Sequence, residues 1–589
     1  MLRPMTPADA VPGVRAVATY RVAWLRRDVV AGVVLSTLLV PQGMAYAELA
    51  GLPPITGLYT TILCLLGYAV FGPSRILVLG PDSSLGPMIA ATLLPIVGAN
   101  GSPERAVALA SMLALIVGAI MLVAGIARLG FVADLISKPT RIGYLNGLAL
   151  TILVGQLPKL FGFSVDADGL IDEARGFVDG LQAGDAVGGA VAIGGLSLAV
   201  MLVMRRLAPR IPGVLVAVVG AIAASAALDL GDHGVALVGT LPQGFPPLTL
   251  PSAGHDFPLL VAGALGIVLV ALADTISTSS AFAARTGQEV DGNGEMVGIG
   301  AANLAAGLFQ GFPASTSGSR TAVAEQAGAK TQLTGVVGAA AIVLMLVVVP
   351  GLLRSLPQPT LAAVVIAASL SLADLPGTVR LWRQRRAEFL LSVAAFLGVA
   401  LVGVLQGIGI AVALSILNVF RRAWWPYQTT LGRVPGLPGL HDRRVYPDGE
   451  ELPGLVVFRF DAPLLFANAR TFRDAIRRLA AADPRPRWIV VAAEPITDVD
   501  TTAADMLGDL DEELNAAGTS LVFAELKSPV RAKLARYQLI GTLDPVHFFP
   551  TLGAAVAAYR SEFGVDWRPP APTGVTVPEA PGSAPPTAR

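Results

Sequence analysis

Charge and cysteine are what this chain has least of. Only 14% of its 589 residues are Asp, Glu, Lys or Arg, against about 25% in an ordinary soluble domain. Basic and acidic residues number 42 each, so the formal net charge is zero, and a nucleic-acid partner has no electrostatic support. The single cysteine, Cys64, excludes an intrachain disulfide; it lies in an apolar run and carries no information about redox compartment. The four histidines, His233, His255, His441 and His547, are scattered, so no metal site is expected. Asp291 to Glu295 begins like a calcium loop but lacks the glycine and the closing Glu of one. There is no Walker loop, which excludes ATP as the energy source, and neither a cofactor nor an enzymatic activity is expected. Met1 to Arg27 lacks a short apolar stretch with a small-residue cleavage site, so no cleaved signal peptide is expected.

What is abundant is apolar sequence, 53% of the chain. Runs of spanning length recur from about Val29 to Trp425 and predict a multi-pass α-helical membrane protein. Helices are expected near 29–46, 55–72, 83–97, 105–127, 142–157, 187–207 and 212–228, then near 258–285, 295–309, 317–329, 332–350, 358–375, 387–404 and 408–424. With the N-terminus inside, this seven-plus-seven order collects Arg26, Arg27, Arg75, Arg141, Arg205, Arg285, Arg380 and Arg421 with their basic neighbours on the inner face. It leaves Arg105, Lys159, Arg175 and Arg354 outside with the acidic stretch Asp166 to Asp185. That asymmetry follows the positive-inside rule and puts the C-terminus in the cytoplasm.

Two interruptions break the apolar pattern at matching places, Leu79-Gly-Pro-Asp-Ser-Ser84 and Gly311-Phe-Pro-Ala-Ser-Thr-Ser-Gly-Ser-Arg320. Proline cannot continue a helix, and lipid cannot satisfy free backbone groups. Paired interruptions of this kind point to a transporter's binding site near the bilayer midplane. After Trp425 the pattern changes. Strands at 454–460, 488–492 and 520–524 alternate with helices at 468–481, 501–516, 530–537 and 551–559, which predicts a small α/β domain. The stretch 568–589 is rich in Pro, Ala and Thr, a composition of disorder. The expected layout is a cytoplasmic segment 1–26, a transporter domain 27–426, a linker 427–453, an α/β domain 454–560 and a Pro-rich tail 561–589.

Pro53-Pro-Ile-Thr-Gly-Leu-Tyr-Thr-Thr61 with Phe71-Gly-Pro-Ser-Arg75 resembles the signature of the sulfate permease family of anion transporters. Ser319-Arg-Thr-Ala-Val323 with Gly328-Ala-Lys-Thr-Gln332 is similar to its tenth-helix region. Asp498-Val-Asp-Thr-Thr-Ala503 resembles the marker of its C-terminal STAS domain. The resemblance runs from Arg26 to Arg560 and is closest to actinobacterial-type members. It implies a seven-plus-seven inverted repeat with core and gate domains, and an anion site between the third helix of each half. It also implies a homodimer in the plasma (inner) membrane with a cytoplasmic STAS domain. The implied function is sulfate uptake by proton symport with elevator-type alternating access, sodium being the other candidate coupling ion. Bicarbonate or a C4-dicarboxylate is the alternative cargo. An anion channel, or a sensor or scaffold signalling through STAS, is the alternative role.

An oxyanion needs donors and positive potential, and a helix start offers both. Ser83 and Ser84 at one interruption, and Ser317, Gly318 and Ser319 at the other, are candidate anion contacts; the serines could instead cap their own helices. Arg320 is a cation at membrane depth, where charge is costly and usually functional. It either attracts the substrate, as the basic residue of the family does, or pairs with Asp82 or Asp274. Gln42, Tyr46 and Asn303 are candidate cavity liners, and Asn146 is a liner or interhelical glue. Asp274 and Thr278 share a helix face at i,i+4; a buried carboxyl is easily neutralised, so they are candidates for the coupling ion unless Asp274 only partners Arg320. Glu48 is a second candidate proton site or an outer-interface residue. Asp82 beside an anion site has no assigned role at this level. Thr502 sits where sporulation-control STAS proteins carry a phosphorylated hydroxyl; capping by Thr501 and Thr502 is the alternative.

Overall fold

The structure is a computed structural model and describes residues 11–98, 101–131, 136–165, 167, 169–208, 211–252, 254–286 and 290–565. Asp166, Arg210 and the tail from residue 566 lie outside the described residues. The chain divides into two compact units, Met1–Ile416 and Leu417–Arg589.

Among the described residues of the first unit, fourteen helical segments follow the expected order. The first seven are α1 (Leu25–Leu49), α2 (Pro54–Phe71), α3 (Gly86–Val97), α4 (Pro103–Ile126), α5 (Lys138–Phe161), α6 (Gly188–Leu207) and α7 (Gly213–Ala227). The second seven are α8 (Phe257–Thr286), α9 (Gly292–Leu308), α10 (Gly318–Gln326), α11 (Leu333–Val348), α12 (Gln358–Leu372), α13 (Arg386–Leu397) and α14 (Val404–Trp424). Proline opens several of them: α2, α3, α4, α5 and α12 each carry it in the first turn, where its missing N–H costs nothing. Two strands precede the short third helices, β1 (Leu79–Gly80) before α3 and β2 (Ser315–Thr316) before α10.

The packing is symmetric under exchange of the halves. α1 packs on α11 as α8 packs on α4, α2 on α11 as α9 on α4, and α3 on α8 as α10 on α1. Likewise α5 on α13 matches α12 on α6, while α2–α9 and α5–α12 cross on the symmetry element itself. This is the contact pattern of an inverted repeat. It separates α1–α4 with α8–α11 from α5–α7 with α12–α14. Two further helices, Leu170–Ala183 and Leu375–Gln384, follow the fifth helix of each half; both are amphipathic and add to the fourteen segments the apolar pattern predicts. One symmetry is broken. α1 packs closely on α12, and α8 has no comparable contact with α5, so the molecule opens between α8 and α5.

The second unit is a six-stranded mixed sheet of β3 (Gln428–Gly432), β4 (His441–Asp442), β5 (Leu455–Phe460), β6 (Trp488–Ala492), β7 (Ser520–Ala524) and β8 (Phe548–Phe549), in the order β4-β3-β5-β6-β7-β8. β5 to β8 run parallel, and β3 is antiparallel to β5. Residues 427–453, expected as a linker, thus supply two strands of the sheet. Alternation along the strands sorts the faces. Phe458, Phe460, Val491 and Phe523 meet α15 (Ala469–Ala480), α16 (Thr501–Ala516) and α17 (Ser528–Arg536), while Val457, Val490 and Val522 meet α18 (Leu552–Phe563).

The α1–α2 crossing is the tightest in the first unit, because a Cβ built on Gly57 would overlap the Gly43 carbonyl. Gly57→Ala should lower stability by about 3 kcal/mol or more. Gly195→Ala, on an open stretch of α6, should shift it by less than about 1 kcal/mol. Thermal melting of both variants in detergent checks the contrast.

Candidate functional site

β1 and β2 pair antiparallel, Leu79 with Thr316 and Gly80 with Ser315. The chain therefore leaves the pair in opposite directions, and α3 and α10 start from opposite sides of one point. The pair is pinned by side chains. Asn303 donates to the Ala314 carbonyl at 3.1 Å and accepts from the Ala314 N–H at 2.8 Å; it is fully buried and is a strand clamp rather than the cavity liner expected. Thr321 Oγ1 accepts from Val78 N–H at 3.1 Å, and Ser317 N–H donates to the Val78 carbonyl at 3.1 Å.

Arg320, in the first turn of α10, is 1% exposed. Its Nη2 lies 3.5 Å from Asp82 Oδ2 and donates to the Gly80 carbonyl at 3.4 Å, while Nε and Nη1 are buried without hydrogen-bond partners. The approach is so close that a Cβ on Gly80 would stand 2.8 Å from Nη1; Gly80 has φ +156°, a conformation only glycine holds without strain. Asp82 in turn serves the start of α3. Its Oδ1 accepts from Ser84 N–H at 3.0 Å and from Ser84 Oγ at 2.7 Å, and its carbonyl accepts from Leu85 and Gly86 N–H. Ser84 Oγ also lies 3.1 Å from Asp274 Oδ2 on α8. A continuous chain Arg320–Asp82–Ser84–Asp274 thus joins α10, α3 and α8.

The two helix starts are unequal. Neither has a side-chain cap, but the Asp82 main-chain carbonyl accepts from the first amide of α3, Gly86 N–H, at 3.2 Å, while at α10 Ser317 Oγ meets Ser319 Oγ at 3.1 Å. The first amides of α10 have no intrahelical acceptor, so this start keeps its donors and its partial positive charge. Side-chain capping by Ser83, Ser84 or Ser317, one of the two sequence expectations, is not what the structure contains.

A cavity of about 630 Å³ opens at this point. Six of the eight expected substrate contacts line it, namely Gln42, Tyr46, Ser83, Ser317, Gly318 and Ser319, together with Asp82, Asp274, Ser277 and Thr278. Ser84 and Arg320 lie behind that wall. Gln42 Oε1 is buried without a partner. Arg141 at the start of α5 and Arg205 near the end of α6 also line it. Sequence reading used them only to orient the helices; the signal available was that both sit within a turn or two of an apolar span. Glu48 is elsewhere. It lines a separate pocket of about 520 Å³ with Lys159, whose Nζ donates to the Glu48 carbonyl at 3.4 Å, and the structure does not bring it to Asp274. Asn146 is glue: it donates to Thr378 Oγ1 at 2.9 Å and accepts from Asp374 N–H at 2.7 Å. In the second unit Thr501 and Thr502 are exposed, and the α16 cap is Asp500, which accepts from Ala503 N–H at 2.8 Å, not either threonine.

Residues 25–395 match the model of the sulfate permease family, and residues 446–555 match that of the STAS domain. The chain belongs to the sulfate permease family. A Mycobacterium tuberculosis protein named as a probable sulfate transporter is 42% identical over 562 residues, which is 95% of this chain and all of that one. "Sulfate transporter 4.1, chloroplastic" of Arabidopsis thaliana is 30% identical over 92% of this chain and 82% of its own length. Among solved structures, SLC26A9 superposes with a TM-score of 0.86 at 21% identity, covering 94% of this chain and 93% of that one. The transmembrane domain of the cyanobacterial bicarbonate transporter BicA superposes at 0.58 and 19% identity, covering 68% and 98%. The fold is that of a multi-pass membrane transporter of this family with a C-terminal STAS domain.

If Asp82 is the counter-ion of Arg320, the two residues are energetically coupled. Arg320→Gln alone should cost about 3 kcal/mol or more of stability by stranding the carboxylate. Adding Asp82→Asn should recover about 1 kcal/mol or more of that loss, read as the coupling in a double-mutant cycle of thermal melts.

Proposed function

We propose that this protein takes an inorganic oxyanion, sulfate foremost, across the cell membrane by secondary active transport. The observation that carries the reading is the uncapped start of α10 at the head of the cavity. Free N–H groups, the Ser83, Ser317 and Ser319 hydroxyls and the guanidinium field behind them meet the needs of a tetrahedral anion. Arg320 contributes as a buried source of positive potential held behind the wall. Arg141 and Arg205 concentrate anions in the cavity. Relatives named for sulfate transport support the choice of cargo.

The coupling ion is a proton carried by Asp274. A serine hydroxyl has one hydrogen to give, yet Ser84 Oγ meets carboxylates of both Asp82 and Asp274. With its hydrogen given to Asp82 at 2.7 Å, Ser84 Oγ is left to accept at Asp274, 3.1 Å away, once that carboxyl takes up a proton. Thr278 stands on the same cavity wall, and a sodium ion bound there is the competing arrangement. The opening between α8 and α5 lies at the end of the helices that carries Arg141 and Arg205. By the charge asymmetry this is the cytoplasmic end, so the conformation is inward-facing. The unbroken α1–α12 contact is its closed outer counterpart, and exchanging the two contacts is the elevator step of α1–α4 with α8–α11 against the other helices. The STAS domain is cytoplasmic, and the functional unit is a homodimer. Thr502 is exposed at the α16 start and available for phosphorylation.

Uptake of labelled sulfate by proteoliposomes tests this. Sulfate should enter saturably, faster with an acidic outside than without a gradient, and should outcompete bicarbonate and fumarate. Failure of sulfate to enter or compete overturns the cargo. Gly318→Val has room at its Cβ, with Thr278 at 3.9 Å, so it should fold normally while weakening apparent sulfate affinity tenfold or more, about 1.4 kcal/mol. Asp274→Asn should remove the dependence of uptake on the pH gradient; retained dependence places the proton elsewhere.

A further inference from the structure

The second unit holds a cavity of its own. It measures about 290 Å³ and is lined by Gln428 and Thr430 of β3, Arg443 and Arg444 from the turn after β4, and Arg478 from the last turn of α15, with apolar side chains of β5 and α15 as its floor. It forms where β3 extends the sheet beyond the cover of α15: Thr430 pairs with Phe458 and Gln428 with Phe460, so both polar residues point to the face that α15 covers elsewhere with Phe472 and Ile476.

The charge in this cavity is one-sided. Three arginines converge from two elements, the turn after β4 and the end of α15, and no carboxylate lines the wall. Of the neighbouring acids, one offsets the charge of Arg443 from outside the wall and the other is held by groups beside the cavity. Glu451 pairs with Arg443 Nη1. Asp442 accepts from Tyr427 Oη, Thr429 Oγ1 at 2.7 Å and Arg444 N–H at 2.8 Å. Arg444 lies over the Tyr427 ring at 5.1 Å, and Arg478 has no ion-pair partner among the described residues. Two polar atoms of lining residues are buried without hydrogen-bond partners, Arg443 Nε and Gln428 Oε1. Arg443 Nε is a donor, and an unpaired buried donor is uncommon and asks for an explanation, whereas Gln428 Oε1 is an acceptor.

We infer that this cavity is a binding site for a tetrahedral oxyanion group, held by Arg444 and Arg478 as charged forks, with Arg443 Nε donating a further hydrogen bond. The volume is at the small end of ligand cavities. It suits a hydrated inorganic sulfate or phosphate, or the phosphoryl group of a larger molecule such as an anionic lipid, and leaves no room for an extended organic body. The site is separate from the transport cavity. It gives the STAS domain a means of sensing oxyanions whatever the cargo of the membrane unit.

Hydrogen–deuterium exchange on the full-length protein in nanodiscs tests the site locally. The arms are zwitterionic lipid alone, the same with sodium sulfate, the same with inorganic phosphate, and nanodiscs containing phosphatidylglycerol with neither anion. Residues 441–446 and 475–480 should exchange more slowly in at least one anionic arm. Protection by the salts identifies a free oxyanion, and protection only with phosphatidylglycerol identifies a lipid headgroup. Arg444→Gln with Arg478→Gln should weaken the apparent affinity tenfold or more. Arg478→Gln alone, which breaks no ion pair, should do so in part, with exchange in β5 to β7 unchanged. No protection in any arm, or protection equally strong in the double variant, overturns the inference. Because the readout lies in the STAS domain, either result leaves the transport reading standing.

Discussion

One buried ion pair organises the membrane unit. The Arg320 guanidinium has no access to water, and a charge so placed persists only if an opposite charge reaches it. Asp82 does so from the other half of the chain. For that contact Gly80 must lack a side chain, the two strands must pair in one register, and α3 and α10 must start where they do. The pair also accounts for a carboxylate beside the proposed anion cavity. Asp82 stands against Arg320, its other carboxylate oxygen accepts from Ser84, and its main-chain carbonyl accepts from the first α3 amide. The first amide of α3 is thus bonded by the Asp82 main chain while the α10 start keeps its donors, and a pseudo-symmetric scaffold acquires an asymmetric site.

A second asymmetry operates at larger scale. The internal packing of the two bodies is symmetric under exchange of the halves, yet contact between them is not: α1 rests on α12, and α8 stands away from α5. Two such arrangements related by the pseudo-twofold have nearly the same packing, which is what alternating access requires of an inverted repeat. The Ser84–Asp274 contact lies where α8 meets the α3 start. Under the proposed coupling, a proton on Asp274 bears on the proposed anion wall directly rather than through a distant relay.

Much of this was legible in the sequence. Fourteen apolar segments and two broken ones were visible because lipid demands continuous apolar runs and penalises any exception. The interruption residues were found for the same reason, and six of them or their neighbours do line the cavity. What escaped had no such signature. Asn303 was read as a liner because a buried amide looks alike whether it faces a ligand or clamps a strand. Arg141 and Arg205 looked like topology markers, since charge at a span end is expected whether or not it also lines a cavity. β3 and β4 are short and polar on one side, so pairing that depends on β5 thirty residues away leaves little local pattern. The amphipathic helices Leu170–Ala183 and Leu375–Gln384 fall below the apolarity of a span, and only their matching places in the two halves distinguish them from loops.

The central claim is that the anion rests on the open start of α10 and not on the guanidinium itself. Locating selenate by its anomalous signal in a crystal of the protein tests it most directly. The account predicts selenium at the cavity head, with its oxygens in hydrogen-bond range of the Ser319 amide and the Ser83 hydroxyl and with the Arg320–Asp82 pair intact behind them. Selenate in direct contact with Arg320, with Asp82 displaced, or bound only at Arg141 and Arg205, would contradict it.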